Sequence, residues 1–126
     1  MPNEVDKGAI YTAFDGGGIY RSPDGENVGG GGKTTKVYDG TQTVRVMISC
    51  NNAIYTAFSG AGIYRSENGE NLGGGNFTTR VYDGKQLVNT MKCHENKVIT
   101  SFEGGGVYAS PDGNNLGGGG KTIKLN

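Results

Sequence analysis

The chain has 126 residues, with 12 Lys plus Arg balanced by 12 Asp plus Glu, and 25 of the residues are glycine. The zero formal charge argues against a nucleic-acid partner, which needs a basic face for its phosphates. No apolar run approaches the ~18 residues of a membrane-spanning helix, and so much glycine excludes a helical domain, since each interior Gly costs about 1 kcal/mol.

In chain order, residues 1–8 (MPNEVDKG) have neither the basic nor the apolar region of a secretory signal. The expectation is therefore a cytoplasmic protein or a part of a virion assembly. Residues 9–40 read AIYTAFDGGGIYRSPDGENVGGGGKTTKVYDG. Residues 53–84 repeat them at an offset of 44, with 24 of 32 positions identical, and a third copy runs from Val98 to Asn126. Identity that high fixes the register of the copies, and periods of 20–50 residues signal propellers, solenoids and similar arrays. Counting back from Asn126 gives units 83–126, 39–82 and a shorter 1–38, so the whole chain, 1–126, reads as one repeat domain.

The second unit predicts four strands, Val44–Ser49, Ala53–Phe58, Gly62–Ser66 and Thr78–Tyr82, each rich in β-branched and aromatic residues. Cys50-Asn51-Asn52 and Ser59-Gly60-Ala61 read as hairpin turns, and the Gly-rich stretch Asn68 to Asn76 joins the third strand to the fourth. The first unit lacks a good copy of the first strand: Pro2 removes a ladder donor, and Glu4 and Asp6 stand where Ile48 and Cys50 stand in the second. One turn recurs as Ser22-Pro23-Asp24-Gly25, Ser66-Glu67-Asn68-Gly69 and Ser110-Pro111-Asp112-Gly113. Pro suits its first central position, and Gly accepts positive φ after it.

This turn, following a strand that ends Tyr-x-Ser, resembles the Asp-box (BNR-type) repeat of the β-propellers to which sialidases and sortilin-like receptors belong. Ser22, Asp24, Ser66, Ser110 and Asp112 match the Ser and Asp of that motif, and Asn68 replaces Asp. The departures are a Gly one residue early and the absence of the family's Trp. The resemblance implies an all-β fold of three four-stranded antiparallel propeller-like blades, with the Asp-box as a structural turn remote from catalysis. Three blades leave a ring open and its edges exposed. Two copies would close six blades, so a homo-oligomer is expected, with the first strand of the ring open to donation by a neighbouring chain. The alternative is a three-fold domain closed within one chain, a β-trefoil or β-prism.

No enzyme is expected. GGGGKT at 29–34 and 117–122 has Asn27 and Asn115 where a phosphate loop needs Gly, and no helix follows. The four arginines mostly follow the repeat (Arg21 with Arg65, Arg80 with Lys36 and Lys124) and do not gather as a sialidase would require. His94, flanked by Cys93 and Glu95, reads as an exposed turn and not a metal ligand, and no cofactor is expected. Cys50 and Cys93 are not repeat-equivalent, which favours two free thiols in a reducing setting over a bridge between adjacent blades. Asn76-Phe77-Thr78 is a sequon that stays unused without secretion.

The repeated polar and aromatic positions remain. Tyr20, Tyr64 and Tyr108, Asn27, Asn71 and Asn115, and Arg21 and Arg65 are candidate ligand-binding residues, because a Tyr ring stacks on a sugar face while amides and charges take hydroxyls. Their plainer role is to fill strand faces and hold turns. The expected function is a non-enzymatic, multivalent carbohydrate-binding module. The alternative is a structural component of a viral or phage particle, a capsid decoration or tail protein.

Overall fold

The computed structural model describes residues 9–14, 17–23, 34–59, 62–67, 69, 71–73, 78–82, 84, 86–111, 113, 116 and 122–125. They form an all-β, antiparallel structure of three sheets, none closed into a barrel as a β-trefoil would require. The first sheet is β1 (Ile10–Phe14), β2 (Gly18–Ser22) and β3 (Thr35–Tyr38). The second is β4 (Val44–Cys50), β5 (Ala53–Phe58), β6 (Gly62–Ser66) and β7 (Thr78–Tyr82). The third is β8 (Val88–His94), β9 (Lys97–Phe102), β10 (Gly106–Ser110) and β11 (Ile123–Lys124). Each is a meander in which consecutive strands pair. No helix occurs among the described residues, and so none long and apolar enough to cross a membrane.

Local chemistry explains the strand ends. The β4–β5 and β8–β9 hairpins turn on Asn51-Asn52 and Glu95-Asn96, all four with positive φ, the geometry of a two-residue turn that follows the sheet twist. Cys50 belongs to β4, one residue beyond the expected strand end. The glycine opening β2, β6 and β10 has φ of 93°, 95° and 96°. At Gly18 and Gly62 a Cβ would also collide with the carbonyl oxygen of Tyr38 or Tyr82 across a bulge in the ladder. The serine ending β6 and β10 is fully buried and accepts from the N–H of the Gly three residues on (Gly69 N to Ser66 Oγ and Gly113 N to Ser110 Oγ, both 3.0 Å). Asp24, Asn68 and Asp112 of the same turn lie outside the described residues.

The core lies between sheets. Every side chain of β5 is buried, and alternation sends Ile54 and Phe58 toward the first sheet and Ala53, Tyr55 and Ala57 toward the third. Between the first and second sheets, Tyr11, Ile19, Val37 and Tyr38 meet Val44, Met47, Ile54, Phe58, Tyr64 and Leu72. Add 44 to each number and the result is the main part of the second cluster: Tyr55, Ile63, Val81 and Tyr82 against Val88, Met91, Val98, Phe102, Tyr108 and Leu116. The two interfaces are one design used twice. Polar contacts repeat as well. Leu72 N donates to Val37 O and Leu116 N to Val81 O (both 3.0 Å), while Tyr11 Oη donates to Gly69 O (3.0 Å) and Tyr55 Oη to Gly113 O (3.2 Å).

The cysteines correct the expectation of free thiols: Cys50 and Cys93 form a disulfide, with Cα atoms 5.5 Å apart. Sequence equivalence was the wrong criterion. A bridge between neighbouring sheets joins the far face of one strand to the near face of the next, and those are non-equivalent positions. Cys50 ends β4 on the side facing β8, and Cys93 sits on the side of β8 that carries Met91.

Candidate functional site

At both occurrences of Tyr-Asp-Gly-x-Gln, 38–42 and 82–86, the tyrosine makes the same contacts. The tyrosine ring packs on the phenylalanine of the next sheet, Tyr38 on Phe58 and Tyr82 on Phe102, at 4.8 and 4.7 Å between centroids. Its hydroxyl accepts the backbone N–H four residues on, from Gln42 (3.2 Å) and Gln86 (3.3 Å). The chain thus curls around the ring edge, and Gly40 and Gly84 are required because a Cβ there would collide with the hydroxyl.

Beside the first of these loops, a groove of about 430 Å³ opens between the first and second sheets. Lys36, Val37, Tyr38, Asp39 and Gly40 line one side, and Asn71, Leu72 and Gly73 the other. Asp39 is exposed, whereas Tyr38 and Asn71 are half-buried, so a carboxylate, an amide and an aromatic ring edge converge on one volume. The Asn71 backbone is fixed by Thr78 Oγ1, which donates to its carbonyl at 2.7 Å. The volume falls within the ~300–1,000 Å³ of small-molecule sites. Arg80, Tyr82, Gly84 and Leu116 are the equivalents between the second and third sheets; Asp83 and Asn115 occur there in sequence but lie outside the described residues.

The other candidates lie elsewhere. Tyr20, Tyr64 and Tyr108 are half-buried, each with its ring edge-to-face with the Phe of its own sheet (Phe14, Phe58 and Phe102 at 5.7, 5.7 and 5.9 Å). Each also carries a cation over the ring, Lys36, Arg80 or Lys124, at 5.7, 5.7 and 5.9 Å. A Phe–Tyr–cation stack therefore recurs in all three sheets, a regularity hidden in sequence because the cation comes from a different strand. Arg65 is committed to Glu67 (Nη1 to Oε2, 2.9 Å) and to the Tyr55 hydroxyl (Nε, 3.2 Å). Burial disfavours its charge, but these two bonds outweigh burial and hold its pKa above the ordinary arginine value. Arg21, its equivalent in β2, is half-buried. Asn27 and Asn115, like both GGGGKT runs up to their lysines and Asn76 of the sequon, lie outside the described residues. Among the described residues, Asn71 alone of the candidates lines the groove.

His94 ends β8, exposed, 3.8 Å from Glu95, and its neighbour Cys93 is bonded to Cys50. No group of three His, Cys, Asp or Glu side chains placed to hold a metal occurs among the described residues. No family model, curated protein or solved structure matches the chain.

Proposed function

We propose that the chain is a non-enzymatic binding module of β-propeller type, its sheets serving as blades and its ligand a carbohydrate held in grooves between them. The observation that carries this reading is the groove beside Tyr38, where Asp39 and Asn71 offer donors and acceptors around an aromatic edge. A sugar hydroxyl donates to the Asp39 carboxylate and accepts from the Asn71 amide, while its apolar C–H groups rest against the edge of the Tyr38 ring. The sequence keeps Tyr82, Asp83 and Asn115 at the next junction, so weak sites would act together.

A glycan array followed by calorimetry on the best ligand tests this. Asn71→Ala and Asp39→Ala are each expected to weaken binding about tenfold, the loss of one or two hydrogen bonds to a polar ligand. An array without signal, or variants that bind like wild type, would overturn the reading. A second reading, a structural subunit of a larger particle, is favoured by the apolar residues exposed on both end sheets, Ile10 and Phe14 on the first and Ile123 and Leu125 on the third.

A further inference from the structure

The design that recurs at offset 44 can be advanced once more. The residues of the third sheet facing away from the second are then Ile99, Val107 and Leu125, equivalent to Tyr55, Ile63 and Val81. The residues of the first sheet facing away from the second are Ile10, Phe14 and Tyr20, equivalent to Ile54, Phe58 and Tyr64. At Ile10, Phe14 and Leu125, exposure follows the absence of a neighbour. Ile10 is 49% exposed, against 2% for Ile54 and 0% for Val98. Phe14 is 41% exposed, against 3% for Phe58 and 4% for Phe102, and Leu125 is 55% exposed, against 5% for Val37 and Val81. Side chains that stabilise the interior are thus kept, in type and register, on two faces that solvent reaches.

We propose that these faces dock on one another between two copies of this chain, head to tail: the third sheet of each copy covers the first sheet of the other. The internal interfaces supply the template, so Ile10 and Phe14 of one copy take the places of Ile54 and Phe58, against Ile99, Val107 and Leu125 of the next. Two copies with three sheets apiece make six, the one multiple of three within the 4–8 blades at which propellers close. Both faces are then used and no end is left.

The intermolecular junction is not a plain copy of the internal ones. Tyr55 and Arg65 are replaced on the third sheet by Ile99 and Ala109. These two, with His94, Lys97, Pro111, Ile123 and Leu125, line a mainly apolar hollow of about 260 Å³ that the larger pair would have filled. Thr90, Lys92 and His94 likewise stand where β4 has Val46, Ile48 and Cys50. The junction between copies therefore lacks the tyrosine hydroxyl bond of both internal junctions and the disulfide of the second, and is weaker than either. That is the difference expected between a contact made by association and one made during folding.

This proposal rests on the blade reading above but not on the choice of ligand. Sedimentation at micromolar protein is expected to give twice the 13.1 kDa chain mass. Phe14→Glu and Leu125→Glu, both at exposed positions, are each expected to yield monomers with unchanged circular dichroism and a melting transition independent of concentration. Mixing the two variants is expected to restore a dimer, because one unaltered junction can form between them. A wild-type monomer, variants that remain dimeric, or a mixture that stays monomeric would overturn it. Binding to the glycan found on the array separates the two proposals. A monomer that binds sinks the docking alone, and a dimer that binds nothing sinks the ligand alone.

Discussion

At the scale of the residue, glycine sets the permitted backbone. Gly62 and Gly104 both have positive φ, 95° and 71°, but a Cβ on Gly62 meets the carbonyl of Tyr82 whereas one on Gly104 meets nothing within 4 Å. Gly104→Ala is expected to cost about 1 kcal/mol, the conformational strain alone. Gly62→Ala adds a collision with backbone that cannot swing aside, and about 3 kcal/mol is expected. Urea denaturation of the two variants checks the ordering, and equal losses would mean that the bulge opposite Gly62 opens freely. That Gly is needed at this position was not legible in the sequence, where it merges with the surrounding glycines. The need arises from a carbonyl two strands' worth of sequence away. The same holds for Tyr20, Tyr64 and Tyr108. Their recurrence was visible, but not the cation over each ring, which β3, β7 or β11 supplies.

At the scale of the element, the four strands of the second repeat were legible to within one residue, because β-branched and aromatic runs bounded by Asn, Gly and Asp leave little choice. Pairing was legible too, since connections this short admit only hairpins. The contact between strands of different repeats was not. β4 meets β8 across an interface, with Arg45 Nε donating to Val88 O (3.2 Å) and Asn51 Nδ2 to Asn96 O (2.6 Å) beside the disulfide. A cross-link spanning 43 residues restricts the unfolded chain by about 2–4 kcal/mol. Replacing both cysteines by serine is expected to lower unfolding free energy by that amount, and dithiothreitol should do the same to the wild type. A loss below about 0.5 kcal/mol would mean that the β4–β8 contact holds the two sheets together without the bond. Of the groove, Asn71 was legible from its place after the turn. Lys36, Tyr38 and Asp39 joined it only when the stacking of sheets brought one repeat's end beside the next repeat's middle.

At the scale of the molecule, the repeat period predicted three sheets; the first has three strands among the described residues, and the position equivalent to β4 falls in residues 1–8, outside them. The interfaces followed from β5, a strand with no polar face, which must have a neighbour on both sides. The open ends were legible from the count of three; which residues they expose was not, because identical residues become core or surface according to what stands next to them.

The bond between Cys50 and Cys93 also divides the chain mechanically. Tension applied to the two termini passes through the sulfur atoms and bypasses everything between them, so β5, β6 and β7 are shielded while the first sheet and the final strands peel away. A single molecule stretched in an optical trap is expected to lengthen by a further ~150 Å of contour, 43 residues at about 3.6 Å each, only after a reductant is added.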